Sequence, residues 1–443
     1  MNSTDLLSKY SIPKNIRELS SLLQNAGEKD LVFYHLEPGH EEVFKKRYQT
    51  SHKPFVVIDQ DPKVEFNGVV VNPEDYALLK KALIDKYYPL EHSCKLAAVT
   101  GTNGKTTTVF LAMQIAELIG KKALSLGTYG LRNIDGMLES NVLTTPSEIE
   151  FRKFLYLYGQ KYDVLFFEFS SHALDQQRLG KIKLDAAAWT NFTQDHLDYH
   201  KTIESYFQSK LKLISYVEDL KIFINKTESE LIKKVGPDNV EPVSFSTLIE
   251  LPLSLKAGFN QLNLSLAISL NLKLWHFDPS IIDFKKLKVP DGRFQVLERD
   301  NQYVVIDYAH TPGAMDSVLE FGKDIFPGFQ LKVLFGCGGD RDKSKRPLMG
   351  KSAEKASYIY LTSDNPRNED PQKIVDEIVK GLSKKNYSIN IDRKSMIESA
   401  LESLKSNEVL FILGKGAEDY QEIKGERHPF SDYQIVQNFW RNS

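Results

Sequence analysis

Along most of this chain short apolar runs of β type alternate with helical stretches, and a cluster of polar residues follows almost every run at once. The runs at 96–99, 164–167, 186–189, 221–224, 303–306, 332–335, 358–361 and 409–413 are separated by segments long enough for crossover helices, the connection that parallel strands need. The pattern therefore predicts an α/β fold of parallel sheets. In open parallel sheets ligands bind outside the carboxyl ends of the strands. The polar clusters at 100–106, 168–172, 191–196, 307–310, 338–341, 363–367 and 414–418 all fall there, and they mark where chemistry is expected.

The chain has 443 residues. Single cores stop growing at about 250–300 residues, so several domains are expected. Residues 1–90 carry the short runs 31–34, 55–58 and 68–71 and read as a small α/β domain. Pro290-Asp-Gly-Arg293 reads as a hinge or boundary. A formal charge of -2 leaves no electrostatic footprint for nucleic acid or an anionic membrane. Two cysteines, Cys94 and Cys337, are too few for a disulfide framework, and Cys337 reads as a small packed residue. No apolar run approaches the roughly 20 residues of a membrane helix. Residues 1–20 lack the apolar segment of a signal peptide. These features predict a cytoplasmic protein bound to neither membrane nor nucleic acid, and a monomer is expected.

The run Gly101-Thr102-Asn103-Gly104-Lys105-Thr106-Thr107 lies between a β-type run and a helix expected at 109–119. Glycines let backbone N–H groups turn onto phosphate oxygens, the helix N-terminus adds positive potential, Lys105 adds a point charge and Thr106 can ligate Mg²⁺. The spacing is shorter than the standard phosphate-loop pattern. Glu168 ends another run and reads either as a Mg²⁺ ligand or as a cap. The segment 191–200 packs Asp195, His196, Asp198 and His200 together, which fits a Mg²⁺ or phosphate site better than zinc. Its histidines read otherwise as hydrogen-bonded structural groups.

Lys210 lies in a helix expected over 204–217, on the stripe of Ile203, Phe207, Ile214 and Val217. Burial there lowers a lysine pKa, and a neutral amine can take up CO₂ as an anionic, metal-binding carbamate. The alternative is a side chain that snorkels to water, as expected for Lys212. Asn260 and Asn263 open a helical stretch and can read a nucleobase edge or cap the helix. Asp307 can bind a ribose hydroxyl. Arg341 and Arg367 each follow a run and suit bidentate carboxylate recognition, or are ordinary loop arginines.

These elements in this order resemble the Mur ligase family, ATP-dependent enzymes that extend the peptide of the bacterial cell-wall precursor. The matching runs span most of residues 95–435. Residues 335–350 and Asp195-His-Leu-Asp-Tyr-His200 look like the member that adds the third residue, and Asp364-Asn365-Pro366-Arg367 looks like the signature of enzymes adding meso-diaminopimelate rather than L-lysine. The resemblance implies three domains: 1–92 for a uridine-diphosphate substrate, 93–291 a phosphate-loop ATPase-like sheet, and 292–443 a Rossmann-like sheet receiving the amino acid. It implies ATP and Mg²⁺ as cofactors. The implied substrates are UDP-N-acetylmuramoyl-L-Ala-D-Glu and meso-diaminopimelate, joined through an acyl phosphate on the D-glutamate carboxylate.

Residue by residue, the resemblance implies that the loop 101–107 with Asn260, Asn263, Arg293 and Asp307 binds ATP. Thr106, Glu168, His196 and a carbamylated Lys210 would hold metal, with Lys105, Lys210 and His196 catalytic. Thr144, Thr145, Ser170, Gln176 and Arg178 would contact the nucleotide-sugar peptide. Arg341, Asp364, Asn365, Arg367, Gly414 and Glu418 would contact diaminopimelate. Two places depart from the family pattern. Ala417 stands where the family has His, and residues 1–90 lack an Asp-Ser-Arg type motif, so no uridine contact is assigned there. The competing readings are an L-lysine-adding or folylpolyglutamate synthase-like ligase of the same family, and a phosphate-loop NTPase without ligase activity.

Overall fold

The structure, a computed structural model, describes residues 3–140, 143–180, 182–244 and 250–442. Its sheets are parallel at their centres, as the alternation predicts. Strands β1 (Leu19–Ser20), β2 (Leu31–Tyr34), β3 (Phe55–Ile58) and β4 (Gly68–Val70) form a four-stranded parallel sheet in sequence order. An eight-stranded sheet contains β5 (Lys95–Thr100), β6 (Ala123–Gly127), β7 (Gly130–Asn133), β8 (Gly136–Glu139), β9 (Val164–Glu168), β10 (Ala186–Trp189), β11 (Ile222–Asn225) and β12 (Val240–Val243). Its order is β12-β11-β10-β5-β9-β6-β7-β8, antiparallel only where β6, β7 and β8 meander. A six-stranded sheet contains β13 (Gln295–Arg299), β14 (Gln302–Asp307), β15 (Gln330–Phe335), β16 (Tyr358–Leu361), β17 (Tyr387–Ile389) and β18 (Glu408–Leu413), ordered β13-β14-β18-β15-β16-β17. A separate hairpin pairs β19 (Tyr420–Ile423) with β20 (Glu426–Pro429).

The chain divides into two compact units. One comprises Met1–Lys105, Ala112–Val243 and Ile268–Asp278; the other comprises Thr106–Leu111, Ser244–Ala267 and Pro279–Ser443. Strands β5, β9, β10 and β18 are buried on both faces, which is why they read as unbroken apolar runs rather than alternating ones. The first unit's large core gathers Leu96, Leu124, Phe151, Phe167, Trp189 and Ile224. In the second, Cys337 packs with Val333, Phe335, Ile359 and Phe411, as expected of a small apolar residue. No helix among the described residues is long and apolar enough to cross a membrane.

Several expected bounds shift. The helix after the phosphate loop begins at Lys105 and not at 109, so the loop lysine forms its first turn. Strands β5, β9 and β14 each run one residue further than their apolar runs, making Thr100, Glu168 and Asp307 the last strand residues. The helix expected over 204–217 is α-helical only over Ile203–Leu211 and tightens to 3₁₀ over Lys212–Tyr216. Its buried face is Tyr206, Phe207, Ser209 and Lys210; Ile203, placed on the expected stripe, is exposed. Beyond the tightened turn Val217 is buried and Ile214 half-buried, as the expected stripe has them. The strands β1, β6, β7, β8, β12, β13, β17, β19 and β20 had no counterpart among the expected runs; most are short edge strands or lie beside one, whereas β6 is a buried inner strand whose apolar residues are interrupted by Ser125.

In the second unit Arg393 and Asp432 open the helices Arg393–Glu402 and Asp432–Asn442 and are both fully buried. Arg393 grips both carboxylate oxygens at 2.8 Å and donates to the Leu413 carbonyl at 3.0 Å, tying both helices to the end of β18. Removing one partner of such a pair leaves an uncompensated buried charge. Arg393→Ala is therefore expected to destabilise this unit by about 3–5 kcal/mol, read as a lowered urea midpoint. An unchanged midpoint contradicts the assignment.

Candidate functional site

In the first unit the loop after β5 is built by its two neighbouring strands. In register, Thr100 faces Trp189 of β10 and Val99 faces Glu168 of β9, so three strand ends lie level. From the β10 side, Thr190 donates its hydroxyl to the Asn103 carbonyl at 2.5 Å. The Asn191 side chain accepts from Asn103 N–H at 3.0 Å, and its carbonyl accepts from Thr102 N–H at 3.1 Å. The Thr102 hydroxyl reaches the Thr193 carbonyl at 3.1 Å. Gly101 and Gly104 have φ of 146° and 84°, left-handed values that side chains rarely adopt. The loop is thus held open as a backbone cradle, with Lys105 as the first residue of the helix behind it. Lys105 Nζ folds back onto the Gly101 and Thr102 carbonyls at 2.8 and 2.9 Å.

One further predicted residue, Lys210, meets this loop. Lys210 is 1% exposed, its Nζ donating to the Gly101 carbonyl at 2.8 Å and lying 4.7 Å from the centre of the Tyr206 ring. The snorkelling alternative is thereby excluded for Lys210. Lys212 is the half-exposed lysine and pairs with Asp175 at 2.8 Å. Burial, and after it the nearby Lys105 cation, hold the Lys210 pKa well below the usual lysine range, against the pull of Asp195. Glu168 is buried, with Oε1 accepting from Thr128 N–H at 2.8 Å. His196 is half-exposed at a left-handed φ of 51°, edge-on to the His172 ring. His200 is buried between Ser171 Oγ (3.0 Å) and Ser209 Oγ (3.4 Å), which favours the structural reading for it. The Asp198 side chain lies outside the described residues.

Among the described residues no three His, Cys, Asp or Glu side chains stand together as a metal site. A glycine loop with a lysine at a helix N-terminus suits phosphate, and one buried carboxylate at the neighbouring strand end suits a hard cation that takes its other oxygens from that phosphate.

Four of the five residues expected at the nucleotide-sugar peptide form one network. The Thr145 hydroxyl donates to the Glu168 carbonyl at 2.7 Å and accepts from Ser170 N–H at 2.9 Å. Arg178 donates to the Thr145 carbonyl at 3.1 Å and to Gln176 Oε1 at 2.7 Å. Thr144 is their chain neighbour.

In the second unit the ends of β16 and β18 bring Asp364, Asn365, Gly414 and Glu418 together. Asn365 Nδ2 donates to Glu418 Oε2 at 2.9 Å. Lys415, absent from the expected set, is fully buried beneath them and donates to Asn365 Oδ1 at 3.1 Å and Glu418 Oε2 at 3.0 Å. Its signal was its place between two glycines directly after a wholly apolar strand. Burial raises the Asp364 pKa, against the pull of Arg393 and Lys415. Arg367 lies in the same loop and donates to the Gly339 carbonyl at 2.7 Å. Arg341 is exposed on the loop after β15, and a Cβ at Gly338 would lie 3.7 Å from its Cγ and 3.1 Å from Arg367 Nη1.

The residues expected at ATP in this unit are already bonded within it. Both Asp307 oxygens accept backbone N–H groups at 2.7 Å, from Phe294 and Ala309, and burial raises its pKa against the pull of Arg293. Arg293 lies 4.7 Å from the centre of the Tyr308 ring. Asn260 donates to the Ser254 carbonyl at 2.7 Å, and Asn263 accepts from the Thr108 hydroxyl at 3.3 Å. Thr106 and Thr107 open the same helix as Thr108.

A Cβ at Gly101 would lie 1.8 Å from Thr190 Oγ1. Gly101→Ala is expected to weaken nucleoside-triphosphate binding by about tenfold or more through displacement of the cradle. Calorimetric titration checks this, and unchanged affinity contradicts the cradle.

The chain is similar to known proteins over most of its length. The model of the Mur ligase middle domain matches residues 99–269, and that of the Mur ligase glutamate ligase domain matches 292–416. A UDP-N-acetylmuramoyl-L-alanyl-D-glutamate--2,6-diaminopimelate ligase from Aquifex aeolicus is 38% identical over 86% of this chain and 85% of its own length. A solved structure of an enzyme of that name is 28% identical, with a TM-score of 0.59 over 96% of this chain and 95% of that one. The MurF ligase of Thermotoga maritima, solved with ADP, shares the fold at 15% identity, with a TM-score of 0.62 over 97% of this chain and 99% of that one. On its sequence, its sheets and these matches, the chain belongs to the Mur ligase family.

Proposed function

We propose that this protein is the ATP-dependent ligase that joins meso-diaminopimelate to UDP-N-acetylmuramoyl-L-alanyl-D-glutamate in the synthesis of peptidoglycan precursor. The observation that carries the reading is the Asn365–Lys415–Glu418 cluster with Arg367 beside it. A dicarboxylic diamino acid needs fixed acceptors for its ammonium groups and a guanidinium for a carboxylate, and this cluster offers both. The name and length of the 38%-identical relative agree with it.

In this reading ATP phosphorylates the D-glutamate carboxylate, and an amine of diaminopimelate then attacks the acyl phosphate. The cradle 101–107 and Lys105 hold the phosphates and lower the repulsion between the triphosphate and a carboxylate nucleophile. Thr106, Glu168, His196 and carbamylated Lys210 would hold Mg²⁺, which when bound supplies Lewis-acid neutralisation of phosphate charge. Asn260, Asn263, Arg293 and Asp307 are assigned to the nucleotide. Thr144, Thr145, Ser170, Gln176 and Arg178 are assigned to the sugar-peptide substrate, and Arg341, Asp364, Asn365, Arg367, Gly414 and Glu418 to the amino acid. We retain 1–92, 93–291 and 292–443 as the functional segments, acting in a cytoplasmic monomer.

Burial of Lys210 beside the Lys105 cation keeps a fraction of its amine neutral, the form that adds CO₂. With isotope-labelled CO₂ the protein should show a carbamate carbonyl signal that Lys210→Ala lacks, and a short carboxylic acid should restore part of that variant's activity. A signal of equal size in the variant contradicts the site.

Phosphate release with the nucleotide dipeptide and a panel of amino acids tests the function. Sites built for a polar group reject analogues lacking it by about 10⁴–10⁵, so kcat/KM should favour diaminopimelate over L-lysine by about that factor. Equal use of lysine returns the substrate to the lysine-adding alternative, and release with folates and glutamate alone returns it to the folylpolyglutamate type.

A further inference from the structure

The loop that carries Arg367 is clasped from outside by the β19–β20 hairpin, and Glu422 of β19 is the charged member of that clasp. Gln421 Nε2 donates to the Asp364 carbonyl at 2.6 Å, and Glu422 N–H donates to Asn365 Oδ1 at 2.9 Å. The Glu422 carbonyl accepts from Arg367 N–H at 3.0 Å, and Lys424 N–H donates to the Arg367 carbonyl at 2.8 Å. These bonds form a bridge between Arg367 and Ile423 and bracket Arg367 at a left-handed φ of 50°. The Glu422 side chain then takes the guanidinium itself, Oε2 accepting from Arg367 Nε at 3.0 Å.

A guanidinium has five N–H donors in a fixed plane. Glu422 occupies the Nε edge, and the Gly339 carbonyl takes one Nη1 hydrogen at 2.7 Å. Among the described residues nothing accepts from Nη2. Both Nη2 hydrogens and one Nη1 hydrogen are therefore left for a carboxylate. A Cβ at Gly338 would lie 3.1 Å from Nη1, so glycine there leaves the guanidinium its place. The Arg367 and Glu422 side chains are 19% and 27% exposed, which keeps their pairing only partly screened.

We propose that Glu422 is a positioning residue that sets the side-chain carboxylate specificity of the amino-acid site: it fixes the plane of the Arg367 guanidinium and so presents its remaining N–H groups to the far carboxylate of the diamino acid. The inference rests on the ligase reading above. Glu422 does not touch the substrate. Without it the guanidinium can rotate about its side-chain torsions, and a small misplacement of a carboxylate clamp is costly in affinity.

The test is steady-state phosphate release by the full chain, with ATP and the nucleotide dipeptide saturating and diaminopimelate varied. The wild type decides the ligase reading first, and an inactive wild type overturns that reading together with this inference. Given an active wild type, Glu422→Ala should raise the KM for diaminopimelate about 10- to 100-fold with the KM for ATP unchanged. Glu422→Gln, whose amide oxygen can still accept from Nε, should recover most of the loss, to within about threefold of wild type. In an Arg367→Ala background, Glu422→Ala should add no more than about twofold, because the group it orients is gone. A diaminopimelate KM unchanged or lowered in Glu422→Ala overturns the proposal. So does an equal rise in the KM for ATP, an undiminished effect in the Arg367→Ala background, or a Gln variant as impaired as the Ala variant.

Discussion

The first unit depends on the parallel register of β5 between β10 and β9. Parallel pairing puts the carboxyl ends of neighbouring strands level. Here it brings Thr100, Trp189 and Glu168 within one residue of each other. Every side chain of the loop site then follows from chain direction. Thr190 and Asn191 leave β10 where they can bond Asn103, and Glu168 ends β9 where its carboxylate accepts from Thr128. A slip of one residue would turn each strand's side chains to the opposite face and remove these partners together.

Charge in the interior has a different part in the second unit. Arg346 is 0% exposed and bonds Glu369, Glu377 and the Gly338 carbonyl, while Arg393 and Asp432 lock two helix starts to Leu413. Buried pairs of this kind are weak sources of net stability, but they tolerate few alternative arrangements. They frame the loops that carry Asn365, Arg367 and Glu418. The Lys415 ammonium beneath Asn365 and Glu418 fixes an amide and a carboxylate whose positions could otherwise vary by rotamer. The hairpin clasp completes the frame from outside. In the proposed reading, recognition of a small zwitterion there is a matter of rigid donors and acceptors, since the ordering cost has been met during folding.

Much of the fold could be read from period alone. The strands at 31–34, 55–58, 186–189 and 358–361 appear with the bounds expected, because buried parallel strands leave unbroken apolar runs. Edge strands such as β8 and β17 escaped, because half-exposed strands of three or four residues carry no such run. Lys210 was legible as a lysine on a buried face. Ile203, drawn onto the same face, is the first residue of the helix and is exposed there. Asp307 illustrates another limit. Its two oxygens accept backbone N–H groups, an anchoring that its place after an apolar run did not show. Bonds to main chain leave no trace in residue type.

The amino-acid sequence by itself determined the class of fold, the places of most buried strands to within a residue, and the kinds of side chain delivered after them, because these depend on local period and composition. It also carried the family, since the runs around Lys105, His196, Lys210 and Arg367 are contiguous and specific. Which of those side chains meet was decided by tertiary structure alone. Lys415 joined Asn365 to Glu418 across 50 residues of chain, and Glu422 took hold of Arg367 across 55. Hydrogen bonds between loops depend on the relative placement of strands far apart in sequence, and no local pattern encodes a distance of 3 Å between such groups.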